Sequence, residues 1–242
     1  MNDPCALAGH TKGVLHVSKH GGFWLVHSTP QWPLKSTVKQ FYFPDTETIY
    51  GQTFLCITLS KSDISAVATQ LLYNQPNVYY SSLSDADTKA HPKLRDVLDR
   101  KWVKGPASNA VSIARKFTSF AKNRKWGRDL YADLVAPSLK TDLLVESWLR
   151  GQAIGKLCRP KHRYQVTDVT ELATKFGTEW TETQDHAKWA IALDGSHRVC
   201  VGDINRMRSQ RKRGGGTVCF KSAALAKRLF NTVTKREECK GK

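Results

Sequence analysis

No apolar run in this sequence approaches the length of a bilayer span, which argues against a membrane-spanning helix. None of the six cysteines, Cys5, Cys56, Cys158, Cys200, Cys219 and Cys239, stands in a CxxC pair, which argues against a zinc ribbon or a thioredoxin-type site. Residues 1–9 show no charged segment followed by an apolar one, so no signal peptide is recognisable there. N-x-S/T sequons and low-complexity segments are absent as well. Acidic residues are scarce, 21 against 38 Lys and Arg, and they form no obvious carboxylate cluster for magnesium. The resulting net charge of +17 says nothing about fold, but it favours a polyanionic partner, nucleic acid before an anionic membrane surface. With 242 residues and 40% hydrophobic content, the chain can bury a real core, as one large domain or two half-domains. An even number of dispersed cysteines suits structural disulfides and an oxidising compartment.

Two β-hairpins are legible. Residues 12–19 alternate and are rich in β-branched side chains, His20, Gly21 and Gly22 supply a turn, and residues 23–27 return. A second hairpin runs from Lys188 to Leu193, turns at Asp194-Gly195-Ser196, and returns from His197 to Val201. Residues 52–59 and 141–148 read as further strands. The spacing predicts a helix capped by Ser62 with Ile64, Val67, Leu71 and Leu72 inward, stopped before Pro76. It predicts another from Asn109 to Trp126, with Val111, Ala114, Phe117 and Ala121 at helical intervals and Arg115, Lys122, Arg124 and Lys125 around them. A short helix is expected near Leu94, Val97 and Leu98 in an otherwise irregular stretch, and a C-terminal helix begins at Ser222. The alternation of strands and helices indicates a mixed α/β fold.

Each hairpin opens on the same tripeptide pattern, His10-Thr11-Lys12 in the first and His186-Ala187-Lys188 in the second. On an extended chain residues i and i+2 share a face, so each His points with its Lys. Each motif runs through two strands to a polar residue, His27 in the first case and Asn205 in the second, which the return strand would carry back beside its own HxK. Such a cluster suits phosphodiester hydrolysis. A neutral imidazole can attack phosphorus, a protonated one can serve the leaving oxygen, lysines neutralise the equatorial oxygens, and Asn205 adds a neutral donor. This chemistry needs no metal and no cofactor. Surface histidines on solvated strand ends are an alternative. A zinc site using His16 with His20 or His27 is another, opposed by the alternating pattern, which does not bring His16 and His20 together.

The stretches around these residues resemble deoxyribonuclease II. They are His10-Thr-Lys-Gly-Val-Leu15, Gly22-Phe-Trp-Leu-Val-His-Ser28, Tyr50-Gly-Gln-Thr-Phe-Leu-Cys56, Asp185-His-Ala-Lys-Trp189, Cys200-Val-Gly-Asp-Ile-Asn-Arg206 and Arg213-Gly-Gly-Gly-Thr-Val-Cys219, in the family's order. The resemblance implies a phospholipase D-like fold of two lobes, residues 1–140 and 141–242, each giving one HxK to a shared site. It implies metal-independent endonucleolytic cleavage of double-stranded DNA at acid pH to 3′-phosphate ends, in a lysosomal or secreted protein, with a homodimer allowed. By position His10, Lys12, His27, His186, Lys188 and, less surely, Asn205 match the family's active site, and the disulfides Cys158–Cys239 and Cys200–Cys219 follow in the same way. Only nine residues precede His10, fewer than in the family, so signal peptide, opening strands and the partner of Cys56 are expected to be missing. Cys56 is therefore expected free or paired with Cys5. Two other functions compete, a non-catalytic DNA-binding relative and a phospholipid-processing enzyme. Arg206, Arg208, Arg211, Lys212 and Arg213 form a basic loop after Asn205 that would lie along the duplex, the alternative DNA surface being the stretch around Lys122 and Arg124.

Overall fold

The computed structural model describes residues 8–34 and 42–240. The chain runs through β1 (Gly13–Ser18), β2 (Gly21–His27), β3 (Phe54–Leu59), α1 (Lys61–Asn74), α2 (Asp85–Ala90) and α3 (Pro92–Leu98). It continues through β4 (Ser108–Ile113), β5 (Phe117–Lys122), α4 (Ala136–Leu139), β6 (Leu143–Glu146), β7 (Val166–Ala173), β8 (Glu179–Thr181), β9 (Trp189–Ala192), β10 (Arg198–Gly202), β11 (Gly215–Lys221), α5 (Ala223–Thr232) and β12 (Val233–Arg236). This is a mixed α/β fold. The first three strands form an antiparallel sheet in sequence order. The others form a nine-stranded sheet ordered β12-β7-β6-β9-β10-β11-β5-β4, with β8 on β7. Among its pairings only β6 with β7 is parallel. β4 and β5 precede residue 140, yet they complete a sheet whose other strands all follow it.

Helix α1 joins the two sheets. Ser60, rather than Ser62, caps it: the Ser60 hydroxyl accepts from the Asp63 N–H, and the Asp63 carboxylate accepts from the Ser60 N–H. Ile64, Val67 and Ala68 bury against Trp24, Val26, Ile57 and Leu59 of the small sheet and against Ile113 and Val218 of the large one. A second core packs Leu130, Tyr131, Val135 and Ala136 on Leu143, Val145, Ala190 and Cys200. A third puts Ala226 of α5, with Leu225 and Leu229 packed against it, on Leu144, Trp189, Ile191 and Val199.

The helix expected over 109–126 is a hairpin. Ile113 pairs with Phe117, and the loop between them holds Ala114 and Arg115 at positive φ. Helical spacing and strand alternation coincide over so short a run, and β5 finds a partner in β11. Two charged residues assigned to a DNA surface are internal instead. The fully buried Lys122 ammonium donates to the carbonyls of Gln210 at 3.0 Å, Arg211 at 3.2 Å and Arg213 at 2.5 Å, fixing the basic loop from beneath. Arg206, placed by the sequence in the duplex-facing loop, is also wholly buried. It donates to Asp129 at 3.0 Å, to Asp168 at 2.5 Å and to the Gly155 carbonyl at 3.0 Å. A guanidinium so enclosed has no face left for phosphate. Disulfides join Cys158 to Cys239 and Cys200 to Cys219, the latter directly opposite on β10 and β11. Cys56 is an exposed free thiol, and Cys5 lies outside the described residues.

Arg206→Ala leaves two buried carboxylates without their counterion. A loss of about 3–5 kcal/mol in unfolding free energy is expected by chemical denaturation. A change under 1 kcal/mol would mean that the ion pairs contribute little.

Candidate active site

The two HxK tripeptides sit immediately before β1 and β9 in matching geometry. In each the lysine reaches back to the carbonyl of its own histidine. Lys12 Nζ donates to His10 O at 3.0 Å, and Lys188 Nζ donates to His186 O. His10 is fixed by its N–H on the Gly214 carbonyl, 2.8 Å away, and His186 by its N–H on the Gly51 carbonyl at 2.9 Å. β2 returns His27 beside the first motif, where the His27 N–H donates to Lys12 O at 3.4 Å. The turn after β10 joins the halves. The Asp203 carbonyl accepts from His10 Nδ1, while the Asp203 carboxylate accepts the Gly216 N–H at 2.8 Å and faces both Lys12 and Lys188. His10, Lys12, His27, His186 and Lys188 are close enough to perturb one another's charge. Asn205, two residues beyond Asp203, lines a narrow cleft with Arg128, Gln210 and Arg211, and its Oδ1 is buried without a hydrogen-bond partner among the described residues.

The histidines differ in what holds them. A carbonyl can only accept, so His10 carries its proton on Nδ1, and the Nε2 lone pair faces the Lys12 ammonium at 3.5 Å. Burial, then Lys12 and Lys188, push the His10 imidazole well below its ordinary pKa. His186 instead turns Nδ1 to the Glu47 carboxylate at 3.0 Å, with Gln52 Nε2 3.4 Å away. Burial and Lys188 push its pKa down, while Glu47 pulls it back. His27 is buried between Trp32 and Phe54, and burial followed by Lys12 lowers it to about 4. Neither of its ring nitrogens has a hydrogen-bond partner among the described residues. The lysines are similarly desolvated, Lys12 to about 8 and Lys188 to about 7, and neither makes a salt bridge among the described residues. The arrangement can receive an anion, present a neutral nitrogen to it, and supply a proton from the other side.

Several contributors carried no spacing signal in the sequence. Glu47 and Gln52 hold the His186 ring, and Tyr50 and Trp148 pack on it with centroids 4.2 and 4.1 Å away. Tyr50, Gln52 and Asp203 lie inside stretches that carry the family resemblance, whereas Glu47 does not. Of the basic loop, Arg208 and Lys212 are exposed and Arg211 is half-buried, whereas Arg213 donates to the carbonyls of Ala8 and Gly9.

Fold and site together define a mixed α/β protein with a duplicated histidine–lysine centre. The family model described as Deoxyribonuclease II matches residues 3–239, and the chain belongs to that family. It is 37% identical over 237 residues to Deoxyribonuclease-2 of Caenorhabditis elegans, covering 96% of this chain and 62% of that protein. It is 37% identical over 240 residues to Plancitoxin-1 of Acanthaster planci, covering 96% and 66%. It is 37% identical over 239 residues to Deoxyribonuclease-2-alpha of Rattus norvegicus, covering 96% and 67%. The chain thus spans about two thirds of the length of the curated relatives it matches.

Under the site, at the end of β6, Glu146 is buried, and neither carboxylate oxygen has a hydrogen-bond partner among the described residues. Burial first, then Asp185 and Glu182, push its pKa well above the ordinary carboxylate value. The folded state therefore keeps a proton that the unfolded chain releases. The stabilisation from this group is complete below the unfolded pKa and is lost as pH rises towards the folded one. Glu146→Gln is expected to leave Tm nearly unchanged near about pH 4 and to raise it at about pH 7.5. Melts at both pH values check this, and equal shifts would show that Glu146 is ionised in the fold.

Proposed function

We propose that this chain carries the centre of a metal-independent acid endonuclease that cleaves double-stranded DNA to 3′-phosphate ends, through two phospholipase D-like lobes that each supply one HxK. The observation carrying this reading is the unequal environment of two histidines around one cationic pocket. Environments that separate two titratable groups assign their roles. His10, kept neutral by burial and then by neighbouring cations, attacks phosphorus through Nε2. The bond from phosphorus to the 5′ oxygen breaks, and charged His186 gives its proton to that oxygen. The 3′-phosphoryl group stays on His10 until water, deprotonated by the now neutral His186, displaces it. Lys12 and Lys188 hold the non-bridging oxygens throughout, and Asn205 adds a neutral donor. His27 is too deeply buried and too weakly basic to share the proton transfers, so its role is to shape the pocket. The printed names of the relatives, deoxyribonucleases among them, support the substrate. The two disulfides suit an oxidising compartment, lysosomal or secreted. A homodimer is compatible with this reading.

A plasmid-nicking assay near about pH 5 in EDTA tests the activity, since a histidine charge is needed there. Cleavage is expected, with His186→Ala abolishing it as fully as the double variant with His10→Ala, because members of one mechanism lose function non-additively. Binding without nicking would favour a DNA-binding protein, and substantial activity in His186→Ala would overturn the assignment.

DNA affinity is expected to fall steeply with salt. Neutralising Arg208, Arg211 and Lys212 together should flatten the slope of log affinity against log salt by roughly two to three units, equally for AT-rich and GC-rich duplexes. An unchanged slope would move the duplex away from this loop.

A further inference from the structure

Strand β3 alternates between an inward set, Leu55, Ile57 and Leu59, and an outward set, Phe54, Cys56 and Thr58. Phe54 is the only large apolar residue of the outward set, and it is 47% exposed. Its ring belongs to a cluster. Trp32 stands almost perpendicular to it at 5.6 Å between centroids, Phe43 lies 6.4 Å away, and Trp32 and Phe43 are 6.0 Å apart. The Trp32 indole N–H is fixed on the Tyr42 carbonyl at 2.8 Å, and Tyr42 is itself 47% exposed. Beneath the cluster lies His27, stacked on Phe54 at 5.8 Å and edge-on to Trp32 at 5.1 Å. His27 also donates its backbone N–H to Lys12. One buried residue therefore separates an exposed aromatic wall from the cations of the phosphate pocket.

We propose that the wall of Phe54, Trp32 and Phe43 is a nucleobase-stacking site for the strand whose phosphate enters the histidine–lysine centre. This rests on the nucleic-acid reading above and adds that the substrate is engaged with at least one base out of its own stack. Lysines can hold a phosphate but offer nothing to a base, whereas a flat exposed ring takes the face of any base without reading its identity. A fixed cluster loses little freedom on binding, because Trp32 and Phe43 already brace Phe54. The position beside the phosphate pocket favours a base over an acyl chain or a protein segment, since only a nucleotide brings an anion and an aromatic face within one residue's reach. Within a duplex, a frayed or mismatched position would then offer such a base at the least cost.

The test compares two fluorescently labelled single strands with equal numbers of phosphates, one of thymidines and one abasic throughout, in a His10→Ala background that keeps the strands intact. Binding is measured for that protein and for the same protein carrying Phe54→Ala or Phe54→Tyr. The thymidine strand is expected to bind about tenfold more tightly than the abasic one, as for one stacked base. Phe54→Ala should remove most of that ratio, Phe54→Tyr should keep it, and the abasic strand should bind all three proteins alike. Equal binding of the two strands by the parent would overturn the stacking site while leaving the nucleic-acid reading intact. So would a Phe54→Ala loss shared equally by both strands, or one seen only with neutral lipid vesicles. If neither strand bound, the nucleic-acid reading itself would fall.

Discussion

Two desolvated lysines, Lys12 and Lys188, set the terms for everything around them. Lys188 is fully buried and Lys12 half-buried, both desolvated and each held by the carbonyl of its own histidine. Lys12 lowers the affinity of Lys188 for its proton. The fold tolerates this because Asp203 faces both, and because Asp203 is itself anchored by the Gly216 N–H where β10 and β11 diverge. The histidines take their character from the same surroundings: burial, then Lys12 and Lys188, keep His10 neutral, while Glu47 counters the burial and the Lys188 charge that lower His186. Taking two ammonium groups out of water is costly unless something repays it. On the proposed reading a phosphodiester does, and the pocket serves as a binding site rather than as a stabilising element.

What could be read from the sequence followed local rules. The hairpins that open on His10 and His186 were legible because alternation and turn residues agree, and turn geometry alone returns His27 to Lys12. The stretch from Asn109 to Trp126 was not. Its apolar residues fit both periods, and what decides is long-range, since β5 completes a sheet with β11, about a hundred residues away in sequence. Glu47 escaped for the same kind of reason. It lies in a single turn of 3-10 helix and meets His186 only because the segment leading into β3 runs beside the second HxK, where His186 donates to the Gly51 carbonyl.

The basic loop shows the limit of counting charges. Five cations follow Asn205 closely, and a sequence cannot rank them. In the fold Arg206 turns inward to Asp129 and Asp168, while Lys122, from a different strand, rises to bind the loop's carbonyls. Burial pushes Asp168 up to about 7 despite the guanidinium beside it. Two of the most internal cations therefore do structural work, holding the loop so that Arg208 and Lys212 stay exposed.

In the proposed mechanism, acid operation follows from the lysines as much as from the histidines. Lys188, lowered to about 7, is only partly charged at neutral pH, and Lys12 at about 8 is not far above it. An anion entering the pocket favours the charged form of both, so binding takes up protons, and by linkage the affinity for that anion rises as pH falls. Acidification therefore charges His186 and completes the phosphate cradle together. His10 stays neutral through the same range because its own pKa is held well below the ordinary imidazole value. The window in which nucleophile, acid and cradle are all in their working forms is bounded above by Lys188 and His186 and below by His10. That ordering of three proton affinities is a consequence of burying like charges in one place.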